Sequence, residues 1–142
     1  MIIFLDFDGV MHSVSQQDKN PFDDICIENI YSCLKNQDVK IVITSSHRKV
    51  HSQEHLMSQL GPLGEYVVGT TPIIDERFLK HVRFEEVVLW LMAENSMDEK
   101  WIAIDDVPGN YPGNANIIIT DPHRGFSETD AIKLSSWLDI SD

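Results

Sequence analysis

The sequence predicts an α/β fold, a Rossmann-like three-layer sandwich around a mainly parallel five-stranded sheet, and three observations carry that expectation. Five short apolar runs recur: "IIFL" at 2–5, "VKIVI" at 39–43, "YVV" at 66–68, "WIAI" at 101–104 and "NIIIT" at 116–120. Their length and β-branched content suit strands covered on both faces. Segments with helical apolar spacing lie between them, and such alternation is the pattern of a parallel sheet. Finally, polar residues collect just after the apolar runs, at the strand ends beyond which open α/β sheets bind ligands.

The first run leads into "FLDFDGVMH", residues 4 to 12, where Asp6 and Asp8 are followed at once by Gly9. A helix is predicted over 23–35, with Cys26, Ile30, Cys33 and Leu34 at helical spacing. The second run ends in Thr44, Ser45 and Ser46, and a helix across 50–60 is stopped by "GPLG". After the third run, Phe84, Val87, Val88 and Leu91 form an i, i+3, i+4, i+7 stripe within 82–95. The fourth run ends in Asp105 and Asp106 and enters the turn-rich "DVPGNYPGN" at 106–114. Beyond the fifth, Ser127 and Asp130 read as a variant capping box opening a helix through Leu138. No repeat, linker or low-complexity tract interrupts this order, so residues 1–142 are expected to form one domain.

A chain of 142 residues buries roughly 70% of its unfolded surface, enough for a sizeable core. Its net charge of −12 repels phosphodiester backbones on average, so a nucleic-acid partner needs a local basic patch. The run Ile2–Leu5 is too short for a signal sequence, has no basic residue before it and meets Asp6 immediately. A cytoplasmic protein with no membrane partner is expected. Cys26 and Cys33 form no CxxC and read as free thiols in a reducing compartment.

The paired aspartates need a physical reason. Residues i and i+2 of a strand face the same way, about 6.6 Å apart along the chain. Two carboxylates so placed repel, and burying them uncompensated costs several kcal/mol. Asp105 and Asp106 add two more from another strand end. A hard, oxygen-seeking cation such as Mg²⁺ is the natural compensation.

At this point the sequence resembles the haloacid-dehalogenase-like (HAD) hydrolase superfamily. "FLDFDGV" resembles its first motif, "IVITSS" its second and "WIAIDD" its fourth, in matching order. More narrowly, "LDFDGVMH", "ITSSHR", "RFEEVVLWL", "WIAIDD" and "TDPHRGFS" are similar to the small HAD domains of Swiss Army Knife RNA-repair proteins. Those typically carry Trp before the arginine of the second motif, where His47 stands here.

The resemblance implies a Mg²⁺-dependent phosphomonoester hydrolase working through an aspartyl-phosphate. Asp6 would be the nucleophile, and Asp8 would protonate the leaving oxygen and then activate water. Thr44 would hold a phosphoryl oxygen. Mg²⁺ would bind Asp6, Asp8 through its backbone carbonyl, and one of the later pair, with Asp106 preferred and Asp105 orienting the site. The superfamily's third motif is a Lys or Arg, and Lys80, His81 and Arg83 crowd the start of the 82–95 helix. Cations at a helix N-terminus are mildly unfavourable, which points to an anion nearby. Arg83 heads "RFEEVVLWL" and is preferred over Lys80.

Gly9, Ser45, Ser46, His47 and Arg48 are the candidate substrate-binding residues. His47, His51 and His55 share a helix phase, but no acid or cysteine completes a metal site, so a solvated face is expected there. The intervals from Asp8 to Thr44 and from Ser45 to Lys80 are filled by predicted elements, leaving no room for a cap domain. The open site that results suits a phosphometabolite, a nucleotide or a polynucleotide end. A receiver-type module is excluded by motif order, because the acidic pair follows the fourth strand. The remaining alternative is a catalytically inactive HAD-like binding module.

Overall fold

The computed structural model describes residues 1–16, 22–74 and 79–139. Five strands form one sheet: β1 (Ile2–Leu5), β2 (Lys40–Ile43), β3 (Val67–Thr70), β4 (Trp101–Asp105) and β5 (Ile117–Ile119). Their order is β3-β2-β1-β4-β5, and every pairing is parallel. The fold is α/β and Rossmann-like, as the alternation predicts.

Period-two alternation along β1 feeds two cores. Ile3 and Leu5 face a large cluster with Cys26, Ile30 and Leu34 of helix α1 (Asp24–Leu34), Leu56 of α2 (Gln53–Gln59), and Leu134 and Leu138 of α4 (Glu128–Asp139). Ile2 and Phe4 face a smaller cluster with Val87 and Leu91 of α3 (Val82–Ala93), where Trp90 and Trp101 meet Phe4 edge-on. Three layers result, and the tryptophans at 90 and 101 belong to the packing.

Local chemistry sets the helix ends. Asp23 caps α1 by accepting from Ile25 N, and Ser52 caps α2 by accepting from His55 N. The variant box opens α4: Asp130 N donates to Ser127 Oγ, and Ser127 N donates to Asp130 Oδ2. The helix expected across 50–60 is shorter, because residues 46–49 form a separate 3-10 turn and Ser52 supplies the cap. "GPLG" continues as a 3-10 helix, Gly61–Tyr66, rather than a plain break. Cys26 and Cys33 are both free thiols, the first buried and the second partly so. Among the described residues no cap domain stands over the sheet. None of their helices is long and apolar enough to cross a membrane.

Topology decides where the chemistry falls. β1 is central, with β2 and then β3 on one side and β4 and then β5 on the other. The chain therefore changes direction across β1 and β4, and ligands bind outside the carboxyl ends at such a switch point.

Candidate active site

Strand register builds the site. Leu5 pairs with Ile43 on one side and Ile104 on the other, so the next residues, Thr44, Asp6 and Asp105, stand in a row. Asp6 N donates to Ile104 O and Thr44 N donates to Leu5 O, which continues the ladder past the strand ends. Adjacent strands lie about 4.8 Å apart. Asp6, Asp105 and Asp106 accordingly each offer an oxygen, all within 4.8 Å of one another.

The cluster is under electrostatic tension. Burial raises the Asp6 pKa well above the usual carboxylate value, with repulsion from Asp105 next, while Arg83 acts in the opposite sense. Burial also lifts Asp105, to about 6, against hydrogen bonds from Val107 N at 2.8 Å and from Asn110 Nδ2. Those bonds occupy the Asp105 carboxylate and leave Asp106 the freer of the pair. Asp106 lies against Gly9: a Cβ at that glycine would collide with Asp106 Oδ2, and its φ of +76° also favours glycine. Beside the acids, Thr44 Oγ1 is buried without a hydrogen-bond partner. An oxygen-rich cluster of carboxylates with an unsatisfied hydroxyl at its edge fits a hard cation such as Mg²⁺ together with an anion that accepts from Thr44.

Asp8 does not share the Asp6 geometry expected of an extended strand. β1 ends at Leu5, and the chain then turns, Val10 N and Met11 N both donating to Phe7 O. The Asp8 carboxylate meets His12 Nε2 at 2.8 Å and His47 Nε2 at 3.1 Å from each oxygen. Three of the four aspartates thus converge by their side chains, and the fourth is held by two imidazoles.

Arg83 sits at the start of α3, donates to Glu86 Oε1 at 2.9 Å, and lies close enough for its charge to favour ionised Asp6 and Asp105. Lys80 is exposed. Ser45 is buried at the foot of the 3-10 turn and accepts from His47 N, while Ser46 is exposed within that turn. Arg48, placed by sequence beside the substrate, is 8% exposed and committed elsewhere. Its guanidinium donates to the carbonyls of Thr44, Ser45, Thr71 and Pro72 and pairs with Glu86 at 2.6 Å. Every donor of the fork is used, so it serves the scaffold. The rings of His51 and His55 stack with centroids 4.5 Å apart on an exposed face.

Sequence reasoning gave no part in the site to three residues that shape this edge. Thr120, directly after β5, donates from Oγ1 to Gly9 O at 2.7 Å and ties down the loop beyond Asp8. Its position after an apolar run was the available signal. Glu86, 1% exposed, joins Arg48 to Arg83 and accepts from Ile74 N. His12, 3% exposed, closes on Asp8, and its i+4 spacing within the first loop was visible.

A parallel sheet carrying clustered carboxylates at its switch point is the arrangement expected of a HAD-like domain. The chain belongs to the family described as the HAD domain in Swiss Army Knife RNA repair proteins, whose profile matches residues 2–131. None of the curated proteins and none of the solved structures matches the chain significantly.

Proposed function

We propose that this domain is a Mg²⁺-dependent phosphomonoesterase acting through an aspartyl-phosphate on Asp6. The observation that carries the reading is the row made by strand register: the Asp6 carboxylate between an unsatisfied Thr44 hydroxyl and the Asp105–Asp106 pair. Asp6 and Asp106, with the backbone carbonyl of Asp8, would hold Mg²⁺, and Asp105 would orient them. Bound there, the ion supplies charge stabilisation to the phosphoryl oxygens.

The chain's own groups perform the transfer. A carboxylate oxygen of Asp6 attacks phosphorus as the bond to the leaving oxygen breaks, and Asp8 gives that oxygen its proton. Asp8 then takes a proton from water, the water oxygen attacks phosphorus, and the Asp6–phosphorus bond breaks to release phosphate. Thr44 donates to a phosphoryl oxygen throughout, and Arg83 offsets the anionic charge. Positioning and electrostatics dominate because the phosphoryl transition state spreads charge over its oxygens.

The test is hydrolysis of p-nitrophenyl phosphate. Turnover is expected with Mg²⁺, to vanish in EDTA, and to return when Mg²⁺ is restored. Turnover that resists EDTA would sink the metal-dependent mechanism. Arg83→Ala is expected to cost about 100-fold in kcat, the order seen when one charge-stabilising donor is lost, with little change for Lys80→Ala. The reverse ranking would reassign the role to Lys80.

The substrate class follows from access. With no cap among the described residues, the phosphate can belong to a bulky molecule, and the family's RNA-repair description favours a polynucleotide end. The net charge of −12 opposes approach of such a polymer except beside a local cation such as Arg83. A reducing, cytoplasmic setting is consistent with two free thiols.

A further inference from the structure

Asp8 is the proton-transfer group of the proposed reaction, yet its own stretch of chain does little to fix it. It lies beyond the end of β1, just before Gly9 at φ +76°, and its side chain is 35% exposed. A carboxyl so placed has several rotamers open to it, whereas general acid catalysis needs one.

His12 removes that freedom. Its ring is stacked on Phe22, with centroids 5.8 Å apart and planes 6° from parallel, and it is almost wholly buried. Nδ1 lies 2.9 Å from Ser13 O, and since a carbonyl only accepts, Nδ1 is the donor there. The ring is thus fixed by stacking on one side and by a backbone bond on the other. Its remaining nitrogen reaches Asp8 Oδ1 at 2.8 Å. His47, set edge-on against Phe7, also reaches Asp8 Oδ1, at 3.1 Å. Burial keeps His12 itself from the substrate, so any effect on the reaction must pass through Asp8.

We propose that His12 is a positioning residue, holding the Asp8 carboxyl in the orientation that delivers a proton to the leaving oxygen. The inference rests on the phosphatase reading above. It differs from a purely structural role, in which His12 is a satisfied core histidine and its loss weakens the fold without changing selectivity.

Leaving-group chemistry separates the two. A nitrophenolate departs with little help from a proton, whereas an alkoxide does not, so a misaligned acid penalises only the alkyl ester. The experiment measures kcat/KM for p-nitrophenyl phosphate and n-propyl phosphate with the full chain and Mg²⁺. Phe at 12 keeps a ring against Phe22 and removes both nitrogens. His12→Phe is expected to lower the alkyl value by about 100-fold and the nitrophenyl value by no more than about threefold, the span of lost acid catalysis. The ratio is taken within one preparation, so a reduced folded fraction cannot imitate it. His12→Gln, whose side-chain amide can again hydrogen-bond the Asp8 carboxyl, should recover much of the alkyl activity. In an Asp8→Asn background, His12→Phe should add no further selectivity, because the two act as a unit. Equal losses for both esters, or a selective loss that persists without Asp8, would overturn the proposal. No turnover of either ester by the unaltered protein would instead overturn the phosphatase reading, and this inference with it.

Discussion

Asp6→Asn is expected to abolish phosphatase turnover, on the order of 10⁴-fold or more, because removing the attacking group of a covalent mechanism leaves only binding and electrostatics. The amide is nearly isosteric and can still accept from the Phe7 backbone N–H that Asp6 uses. The fold should therefore survive and become more stable in EDTA. The sign follows from the titration. Burial and Asp105 raise the folded-state pKa of Asp6, and burial raises that of Asp105 to about 6. A carboxyl whose folded pKa lies above its unfolded value favours folding at low pH, and that contribution is lost as pH rises through the folded pKa. Without a divalent ion, the cluster should thus cost stability progressively from about pH 4, near the unfolded value, to beyond pH 6. Asn at position 6 removes the most strained charge and relieves its neighbours. A gain of about 1 kcal/mol at neutral pH, or roughly 3–5 °C in Tm, is the expected size. Thermal melts in EDTA at pH 4.5 and 7.5 check it: the difference between variant and parent should widen at the higher pH. Near-normal turnover would place the nucleophile elsewhere, and a drop in Tm would contradict the repulsion argument.

Much of this was legible in the sequence because parallel-sheet proteins write their sites in one place. Apolar runs ending in Asp6, Thr44 and Asp105 are enough to predict a row of groups at one sheet edge. Register then does the rest, since β1 pairs with both β2 and β4 without slippage. Helix ends were readable where a short polar side chain caps its own helix, as at Ser127 and Asp130. What the sequence withheld depends on side-chain direction after the backbone leaves regular structure. The positive φ at Gly9 follows a turn that takes Asp8 out of the strand, so the i, i+2 argument stops at Leu5. His12 and Thr120 act across that turn, at Asp8 and at the Gly9 carbonyl, and an i, i+4 spacing or a place after a strand marks such residues without fixing where their side chains point. Arg48 was misleading for a related reason. A cation just after a strand beside a phosphate site suits an anion, but the same position also faces the carbonyls just beyond the ends of two strands.

Arg48 carries the largest expected loss of stability. It stands in the 3-10 turn after β2 and reaches the carbonyls of Thr44 and Ser45 beyond that strand, and of Thr71 and Pro72 beyond β3. Its remaining contact, with Glu86 of α3, brings a helix from one face of the sheet onto the same group. Burial works against the guanidinium charge and lowers its pKa, while Glu86 supports it. Removing the Arg48 side chain therefore takes the guanidinium donor from the carbonyls of Thr44, Thr71 and Pro72, while Ser45 O keeps the Arg48 backbone N–H, and among the described residues it leaves Glu86 with Arg83 as its remaining cation. Breaking a buried pair from one side costs about 3–5 kcal/mol, so Arg48→Ala should lose much of the protein's stability. Arg48→Lys should recover little. An ammonium offers three donors from a point rather than a planar fork, and cannot serve acceptors on two strands and a helix together. Urea unfolding of both variants measures the effect. Folded Arg48→Lys protein should keep a near-normal KM for p-nitrophenyl phosphate, because the guanidinium does not face the substrate. The opposite pattern, an unchanged urea midpoint with a raised KM, would return Arg48 to the substrate and require a different anchor for the ends of β2 and β3.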